Sequence, residues 1–222
     1  MVIYMLVDMD KYRGIPLFRG IPEHRICPLL QAIGVHGREY KKGKNLISAG
    51  ETTGAIGVIL SGSVHMLKYD VWGRKTLIAY MSRGDLFGES FAVRQEKSSY
   101  TFFEAAADTE VVFIRFEQIV HDCCGDEEHH WLLSNLFECM GKKNFQLMEK
   151  IEIMSRPTLR EKIMSYISMI AQHQKSRYIH LPLSRTEMAE FIGANRSAMT
   201  RELTRMKEEQ IIDFDGNVFI IR

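Results

Sequence analysis

The chain has few cysteines, no long apolar run and almost no net charge, and the first two of these features exclude classes of protein. Its four cysteines, among 222 residues, lack the spacing of a secreted disulfide framework, so a reducing cytoplasm is expected. No apolar run reaches the roughly eighteen residues of a membrane span, and the first residues do not resemble a signal peptide. The formal net charge of +1 neither favours nor excludes a nucleic-acid partner.

What is present describes an ordinary globular protein. Apolar residues make up 45% of the chain and charged residues 26%, and neither internal repeats nor low-complexity tracts occur. The length suits one large domain, or a medium-sized domain with a small partner domain.

The first half of the chain is predicted to be mainly β-structure. Pro22 to Gly34 indicates one or two short helical segments, with Pro22 and Pro28 each placed to open a first turn. From about residue 35 to residue 116, short apolar runs alternate with glycine-containing turns, which is typical of a sandwich or barrel. The clearest strand candidates are Ala55–Leu60, Val64–Tyr69, Thr76–Tyr80 and Glu110–Arg115.

A long helix with an apolar seam follows the β-region, between about Asp126 and Met154. Its length is about 43 Å at 1.5 Å per residue, too long for a small β-domain alone to cover. Asn144 occupies one seam position, and such an asparagine often fixes the register of a dimer. A second copy of the helix is therefore the expected partner. The apolar seam residues are Leu133, Phe137, Met140, Leu147, Ile151 and Met154.

The last third of the chain predicts two short helices joined by a tight turn. Pro157 ends the long helix, and a new helix begins at Thr158. Ser184 and Glu187 form a capping box, so a helix begins at Arg185 and ends near Gly193. Asn195 then caps a second helix. This is the helix-turn-helix pattern, whose second helix usually lies in the major groove of DNA.

The second helix has one apolar face and one polar face. From Ala194 to Lys207 there are four basic residues and one acidic residue, a local excess that suits a recognition helix. Two β-rich runs around Asp215–Gly216 follow, and they predict a terminal hairpin, or wing. Met199, Leu203 and Met206 form the apolar face, whereas Arg196, Ser197, Thr200, Arg201 and Arg205 form the other.

Five segments in this order resemble the CRP/FNR superfamily of bacterial transcription regulators. They are Ile47–Glu51, Val58–Val64, Gly84–Glu89, Leu159–Ile163 and Arg196–Leu203. The resemblance implies an α+β fold: an effector-sensing β-roll (jelly roll) of the cyclic-nucleotide-binding type with an N-terminal helix, a dimerisation helix, and a winged helix-turn-helix DNA-binding domain. The corresponding ranges are 1–125, 126–154 and 155–222.

The resemblance also implies a cytoplasmic homodimer, not an enzyme, that binds double-stranded DNA at a two-fold symmetric promoter site. RNA polymerase would be a further partner if the protein is an activator. Arg201 is the best candidate for a base contact, because a guanidinium can donate two hydrogen bonds to guanine. Ser197 stands where relatives often carry Glu, so the usual half-site is not expected. The expected DNA-binding residues are Asn195, Arg196, Ser197, Thr200 and Arg201.

The expected effector site departs further from the family. Gly88 and Glu89 match the residues that begin the family's cyclic-nucleotide site, but Ser99 and Tyr100 stand where an Arg-Ser pair would hold the cyclic phosphate. We therefore expect that cyclic AMP is not the effector, and that an unidentified small molecule or a redox signal acts instead. The expected effector-binding residues are Gly88, Glu89, Ser98, Ser99, Tyr100, Asn144 and Phe145.

Other chemistries have weaker support. Cys27 alone precedes the β-roll, so no iron-sulfur cluster is expected, and neither a metal site nor any other cofactor is predicted. A metal oxygenase of the same barrel shape would need clustered histidines, and no His-x-His pair occurs between residues 35 and 116. Three alternatives stay open: redox sensing by Cys123, Cys124 or Cys139, haem sensing through His36 or His65, and a ligand-binding regulatory module that acts on a protein partner.

Overall fold

The structure is a computed structural model that describes residues 8–94, 99–121 and 127–222. The chain divides into two compact units, one formed by residues 1–73 and 78–143 and the other by residues 74–77 and 144–222. The helices of the described residues are α1 (Glu23–Ala32), α2 (Glu89–Ala92), α3 (Phe116–His121), α4 (Glu127–Ser155), α5 (Leu159–Gln174), α6 (Arg185–Phe191) and α7 (Arg196–Glu208). None of them is both long and apolar enough to cross a membrane.

Two four-stranded sheets form the β-roll, in the orders β1-β8-β3-β6 and β2-β7-β4-β5. The four predicted strands are confirmed as β3, β4, β5 and β8. Sequence patterns had not indicated β1, because two of its five residues are charged. This segment is a strand because it pairs with β8. The strands of the roll are β1 (His36–Tyr40), β2 (Asn45–Ile47), β3 (Ala55–Ser61), β4 (Ser63–Tyr69), β5 (Lys75–Ser82), β6 (Leu86–Phe87), β7 (Phe102–Ala105) and β8 (Thr109–Arg115).

Aromatic rings pack the interior of the roll. The Phe87 ring lies 5.5 Å from the Phe103 ring and 5.6 Å from the Phe113 ring, measured between centroids. Phe91, on α2, packs edge-on against Phe103 at 6.2 Å. Gly57 makes room for this cluster, because a Cβ atom there would lie 2.1 Å from the Phe87 ring. The roll interior is therefore filled by side chains of the chain itself.

The N-terminal segment and α1 cover a second core of the same unit. Two short 3₁₀ helices, Met9–Lys11 and Pro16–Phe18, precede α1. The expectation that Pro28 opens a separate helix is wrong, because Pro28 lies inside the single helix α1. Ile26 and Leu30 are buried on either side of it, and their burial offsets the hydrogen bond that a proline cannot donate.

The long helix is confirmed as α4, but its exposed stripe differs from the predicted seam. Leu133 and Met140 pack against the core of the first unit. Phe137 is 70% exposed and Ile151 is 67% exposed. The exposed stripe consists of Phe137, Gly141, Asn144, Met148 and Ile151, which alternate at spacings of four and three residues. Leu133 and Met140 had been assigned to the seam because periodicity cannot distinguish a helix face on its own core from one facing a partner.

The second unit contains the predicted winged helix-turn-helix. The break at Pro157 is confirmed, and α5 begins with a capping box in which Thr158 Oγ1 accepts from the Glu161 N–H at 3.2 Å. Helices α6 and α7 follow. A three-stranded sheet in the order β10-β11-β9 completes the unit. Its strands are β9 (Tyr178–His180), β10 (Ile212–Asp215) and β11 (Val218–Ile221), and β9 had not been predicted.

Candidate DNA-binding and effector sites

Side-chain caps set the start of both helices of the helix-turn-helix. The Ser184 N–H donates to Glu187 Oε2 at 2.8 Å, and the Glu187 N–H donates back to Ser184 Oγ at 3.4 Å. Gly193 takes the turn with a φ of +65°. Asn195 Oδ1 accepts the Ser197 N–H at 2.9 Å. The predicted capping box, turn glycine and second cap are all confirmed.

Helix α7 has a buried face and an exposed face, as predicted. Met199, Leu203 and Met206 are at most 1% exposed. The polar candidates Asn195, Arg196, Ser197, Thr200 and Arg201 are all exposed, on one face of the helix and its cap. The structure therefore brings the five predicted DNA-binding residues together on one surface.

The arginines of α7 differ in what they contact. Arg205 lies 3.5 Å from Glu202 in an exposed ion pair. Among the residues that the structure describes, neither Arg196 nor Arg201 has a side-chain ion pair or hydrogen bond. These two guanidinium groups are exposed cations with all their donors available to an outside partner.

The hydroxyl groups on the same face already donate within the helix. Ser197 Oγ donates to Asn195 Oδ1 at 2.6 Å, and Thr200 Oγ1 donates to the Arg196 carbonyl at 2.9 Å. Their oxygens can still accept hydrogen bonds, and the methyl group of Thr200 adds an apolar contact. Specific donation to a base edge therefore depends mainly on the arginines.

Helix α7 is held in place by Arg160 of α5. Its Nε lies 2.5 Å from Glu202 Oε1, and its other two nitrogens lie 2.6 and 3.0 Å from the Glu209 carboxylate. The hydrogen bond that Arg160 donates lowers the pKa of Glu209, and its hydrogen bonds to Glu209 and Glu202 raise the pKa of Arg160. The paired carboxylates lie at the middle and end of α7, so Arg160 fixes the orientation of that helix.

The wing has a two-residue turn. Asp215 pairs with Val218, so the turn consists of Gly216 and Asn217. The predicted turn is therefore confirmed at Gly216, whereas Asp215 is the last residue of β10. Gly216 has a φ of +52°, the left-handed conformation that such a turn requires.

Arg185, the first residue of α6, ties the wing to the helix-turn-helix. Its guanidinium lies 4.3 Å from the Phe219 ring and 4.8 Å from the Phe214 ring. It also donates to the Gly216 carbonyl at 2.8 Å. Burial lowers the pKa of Arg185. This arginine is therefore part of the wing's internal packing.

The expected effector glutamate lies at the start of α2. Gly88 caps this helix with a φ of +78°, and Glu89 is only 3% exposed. Glu89 Oε2 lies 3.0 Å from the Lys143 ammonium, and Glu89 Oε1 accepts from Ser90 Oγ at 3.0 Å. Both carboxylate oxygens thus have partners from the protein.

The other expected effector residues of the first unit differ in exposure. Ser99 is fully buried, and its hydroxyl donates to the Thr101 carbonyl at 2.6 Å. Tyr100 is 52% exposed, and the Arg94 guanidinium carbon lies 5.2 Å from the centre of its ring. Ser98 lies outside the described residues. A phosphate group would therefore meet Arg94 and Tyr100 before it met Ser99.

Asn144 and Phe145 belong to the second unit. Both are exposed, and Phe145 is 59% exposed. Of the candidate redox cysteines, Cys139 packs against the core, and burial raises the pKa of its thiol, which disfavours the reactive thiolate. Cys123 and Cys124 lie outside the described residues. No group of three or more His, Cys, Asp or Glu residues is placed to hold a metal ion in the described parts of the chain.

Two family models match this chain, one in each half. A cyclic nucleotide-binding domain matches residues 37–121, and a Crp-like helix-turn-helix domain matches residues 161–222. The first range runs from the second residue of β1 past the end of β8, and the second contains α6, α7 and the wing.

The chain belongs to the CRP/FNR superfamily.

Curated CRP/FNR relatives cover most of the chain. The cAMP-activated global transcriptional regulator CRP of Salmonella typhimurium is 21% identical over 84% of this chain and 89% of its own length. A probable transcriptional activator of Rhizobium leguminosarum is 27% identical over 83% of this chain and 76% of its own. The solved structure of the c-di-GMP responsive global regulator CLP of Xanthomonas campestris has a TM-score of 0.72 and 16% identity, and the match covers 90% of this chain and 99% of that one. The structural likeness confirms the fold.

Sequence patterns alone did not indicate three side chains of this CRP/FNR protein that organise its sites. Lys143 lies 54 residues from Glu89, Arg160 lies 42 residues from Glu202, and Arg185 lies 31 residues from Gly216. No local motif connects partners at such distances. Only the position of Lys143 beside Asn144, a seam residue of the predicted dimer helix, could have drawn attention to this lysine.

Proposed function

We propose that this CRP/FNR protein is a cytoplasmic, homodimeric transcription regulator that reads a palindromic promoter site through α7. The observation that carries the proposal is the pair of exposed, unpaired arginines, Arg196 and Arg201, on a helix whose orientation Arg160 fixes. A recognition element must be rigid and must present donors that the protein itself leaves unused. Helix α7 meets both conditions.

The base contacts follow from the chemistry of this face. Arg201 is proposed to donate two hydrogen bonds to guanine, a contact worth about 1–3 kcal/mol of discrimination. Arg196 contacts a second base or a phosphate near the cap. Thr200 offers its methyl group to thymine. The Ser197 hydroxyl already donates to Asn195 Oδ1, so Ser197 is left to accept hydrogen bonds, whereas the Asn195 amide NH₂ can still donate one.

The homodimer is supported by the exposed stripe of α4. Phe137 and Ile151 expose large apolar side chains on a regular helical seam, and Asn144 lies between them on the same stripe. A second copy of the helix would cover these side chains. Two recognition helices related by a two-fold axis then meet half-sites about 34 Å apart, one turn of DNA.

The signal is proposed to be sensed in the β-roll and the dimerisation helix, near Gly88, Glu89, Ser98, Ser99, Tyr100, Asn144 and Phe145. Cyclic AMP, which activates the Salmonella relative, is not the proposed effector here. The phosphate-binding pair is replaced by a buried serine and an exposed tyrosine, and the glutamate already has protein partners. If the protein activates transcription, RNA polymerase is a further partner.

In vitro selection of bound DNA from random pools tests the proposal. The expected product is a two-fold symmetric sequence whose half-sites are separated by one helical turn. Selection should be run with and without cell extract, since enrichment only with extract would point to a required signal. Recovery of no sequence under either condition would contradict the proposal.

A further inference from the structure

Glu89 is a buried carboxylate of the first unit. It is 3% exposed, and a carboxylate at such a place is stable only when partners supply the missing hydration. Lys143 supplies the charge at 3.0 Å, and Ser90 supplies a hydroxyl donor at 3.0 Å. Each carboxylate oxygen thus has one partner from the protein itself.

Lys143 connects this carboxylate to the long helix. Its side chain is 13% exposed, and its ammonium also donates to the Leu86 carbonyl at 3.0 Å. The ammonium therefore contacts both β6 and the start of α2, while its backbone belongs to α4. One lysine joins the end of the β-roll and its short helix to the predicted dimerisation helix.

A ligand hydroxyl at Glu89 would compete with Lys143 and Ser90 for the same carboxylate. Displacement of Lys143 would leave a buried ammonium and a buried carboxylate without their mutual partner, which is strongly unfavourable. A neutral hydroxyl group is a weaker partner for the carboxylate than the ammonium that it would replace.

We propose that Lys143 is a built-in substitute for an effector at Glu89, and that it holds α4 in the DNA-competent arrangement without a bound nucleotide. A signal then acts by releasing this contact, not by creating it. The proposal rests on the DNA-binding function proposed above. Lys143 is a positioning residue: it acts on DNA through α4 and does not touch DNA itself.

The test uses the full-length protein and the DNA site obtained by selection. Four variants are compared with the parent: Lys143→Met, Glu89→Gln, the double variant Glu89→Gln/Lys143→Met, and Lys142→Met. Lys142 is the matched control, because it neighbours Lys143 but forms an exposed pair with Asp85, its own side chain being 60% exposed. DNA affinity is measured by fluorescence anisotropy, dimerisation by sedimentation, and folding by thermal unfolding.

The parent protein should bind DNA without nucleotide, and 1 mM cyclic AMP or cyclic GMP should not change its affinity. Lys143→Met should lower DNA affinity by about tenfold or more, the usual range of allosteric coupling, while Lys142→Met should not. The double variant should regain thermal stability, because it buries no unpaired charge, but should not regain DNA affinity. A purely structural ion pair would restore both properties together.

Two results would overturn the inference while leaving the proposed DNA-binding function intact. One is a parent protein that binds the selected DNA only after cyclic nucleotide is added. The other is a folded Lys143→Met dimer whose DNA affinity equals that of the parent. Failure of the parent to bind any selected DNA would instead count against the proposed function itself.

Discussion

The packing of Gly57 against Phe87 offers a sharp test of the β-roll interior. A Cβ atom at position 57 would lie 2.1 Å from the Phe87 ring, and at least three ring atoms would lie within 2.6 Å. Phe87 is fully buried and packs against Phe103 and Phe113, so it cannot move aside freely. Gly57→Ala should therefore destabilise the protein by about 1–3 kcal/mol or more, the usual cost of overpacking.

The same geometry predicts how a second change interacts with the first. Phe87→Ala alone removes a large buried ring and should cost about 3–5 kcal/mol. In the double variant the new methyl group enters the space that the ring has left. The destabilisation of the double variant should then be smaller than the sum of the two single-variant costs by about 1 kcal/mol or more.

Chemical denaturation of the parent, both single variants and the double variant measures these free energies of unfolding. The coupling energy, not the absolute cost, carries the test, because it cancels effects on the unfolded chain. If the two changes are additive within about 0.5 kcal/mol, the close approach of Gly57 to Phe87 is refuted.

Two further predictions concern α4. Phe137→Glu should convert the proposed dimer to monomer in sedimentation experiments, because it places charges opposite each other in the apolar stripe. Lys150→Met should remove a pH dependence of stability. Burial lowers the pKa of Lys150 to about 8 from 10.5, so between these values the unfolded chain binds more protons and the parent's stability rises with pH.

Controls separate these effects from general damage. The control for Phe137 is its neighbour Glu138, whose side chain is 62% exposed and pairs with Arg19. Glu138→Ala should leave the proposed dimer intact. For Lys150, denaturation is followed from pH 7.5 to 10.5, and the parent-minus-variant difference isolates this lysine from other titrating groups. An unchanged slope in Lys150→Met would show that the ammonium is not buried against the Leu77 carbonyl and the Phe191 ring.

Local signals predicted the helix-turn-helix well. The capping box of Ser184 and Glu187, the turn at Gly193 and the cap at Asn195 each involve neighbours within a few residues, so sequence alone specifies them. The exposed face of α7 followed from the same periodicity. Much of the candidate DNA-binding surface was therefore predictable.

Features that depend on distant partners were not predictable. Strand β1 carries charged side chains and is a strand because β8 pairs with it. Pro28 lies within a helix because burial of its neighbours outweighs one lost hydrogen bond. The ion pair of Lys143 with Glu89 joins residues 54 positions apart, and nothing local to either residue indicates the other.

The most direct test of DNA recognition by α7 compares Arg201→Ala with Arg205→Ala on the selected DNA site. Arg201 has no partner among the described residues, whereas Arg205 pairs with Glu202. Arg201→Ala should lower affinity by about 1–3 kcal/mol, roughly 5- to 150-fold, and should relax the preference for guanine at one position of each half-site. Arg205→Ala should change affinity only slightly, with sequence preference unaltered. Equal, sequence-independent losses in the two variants would contradict base reading by this helix.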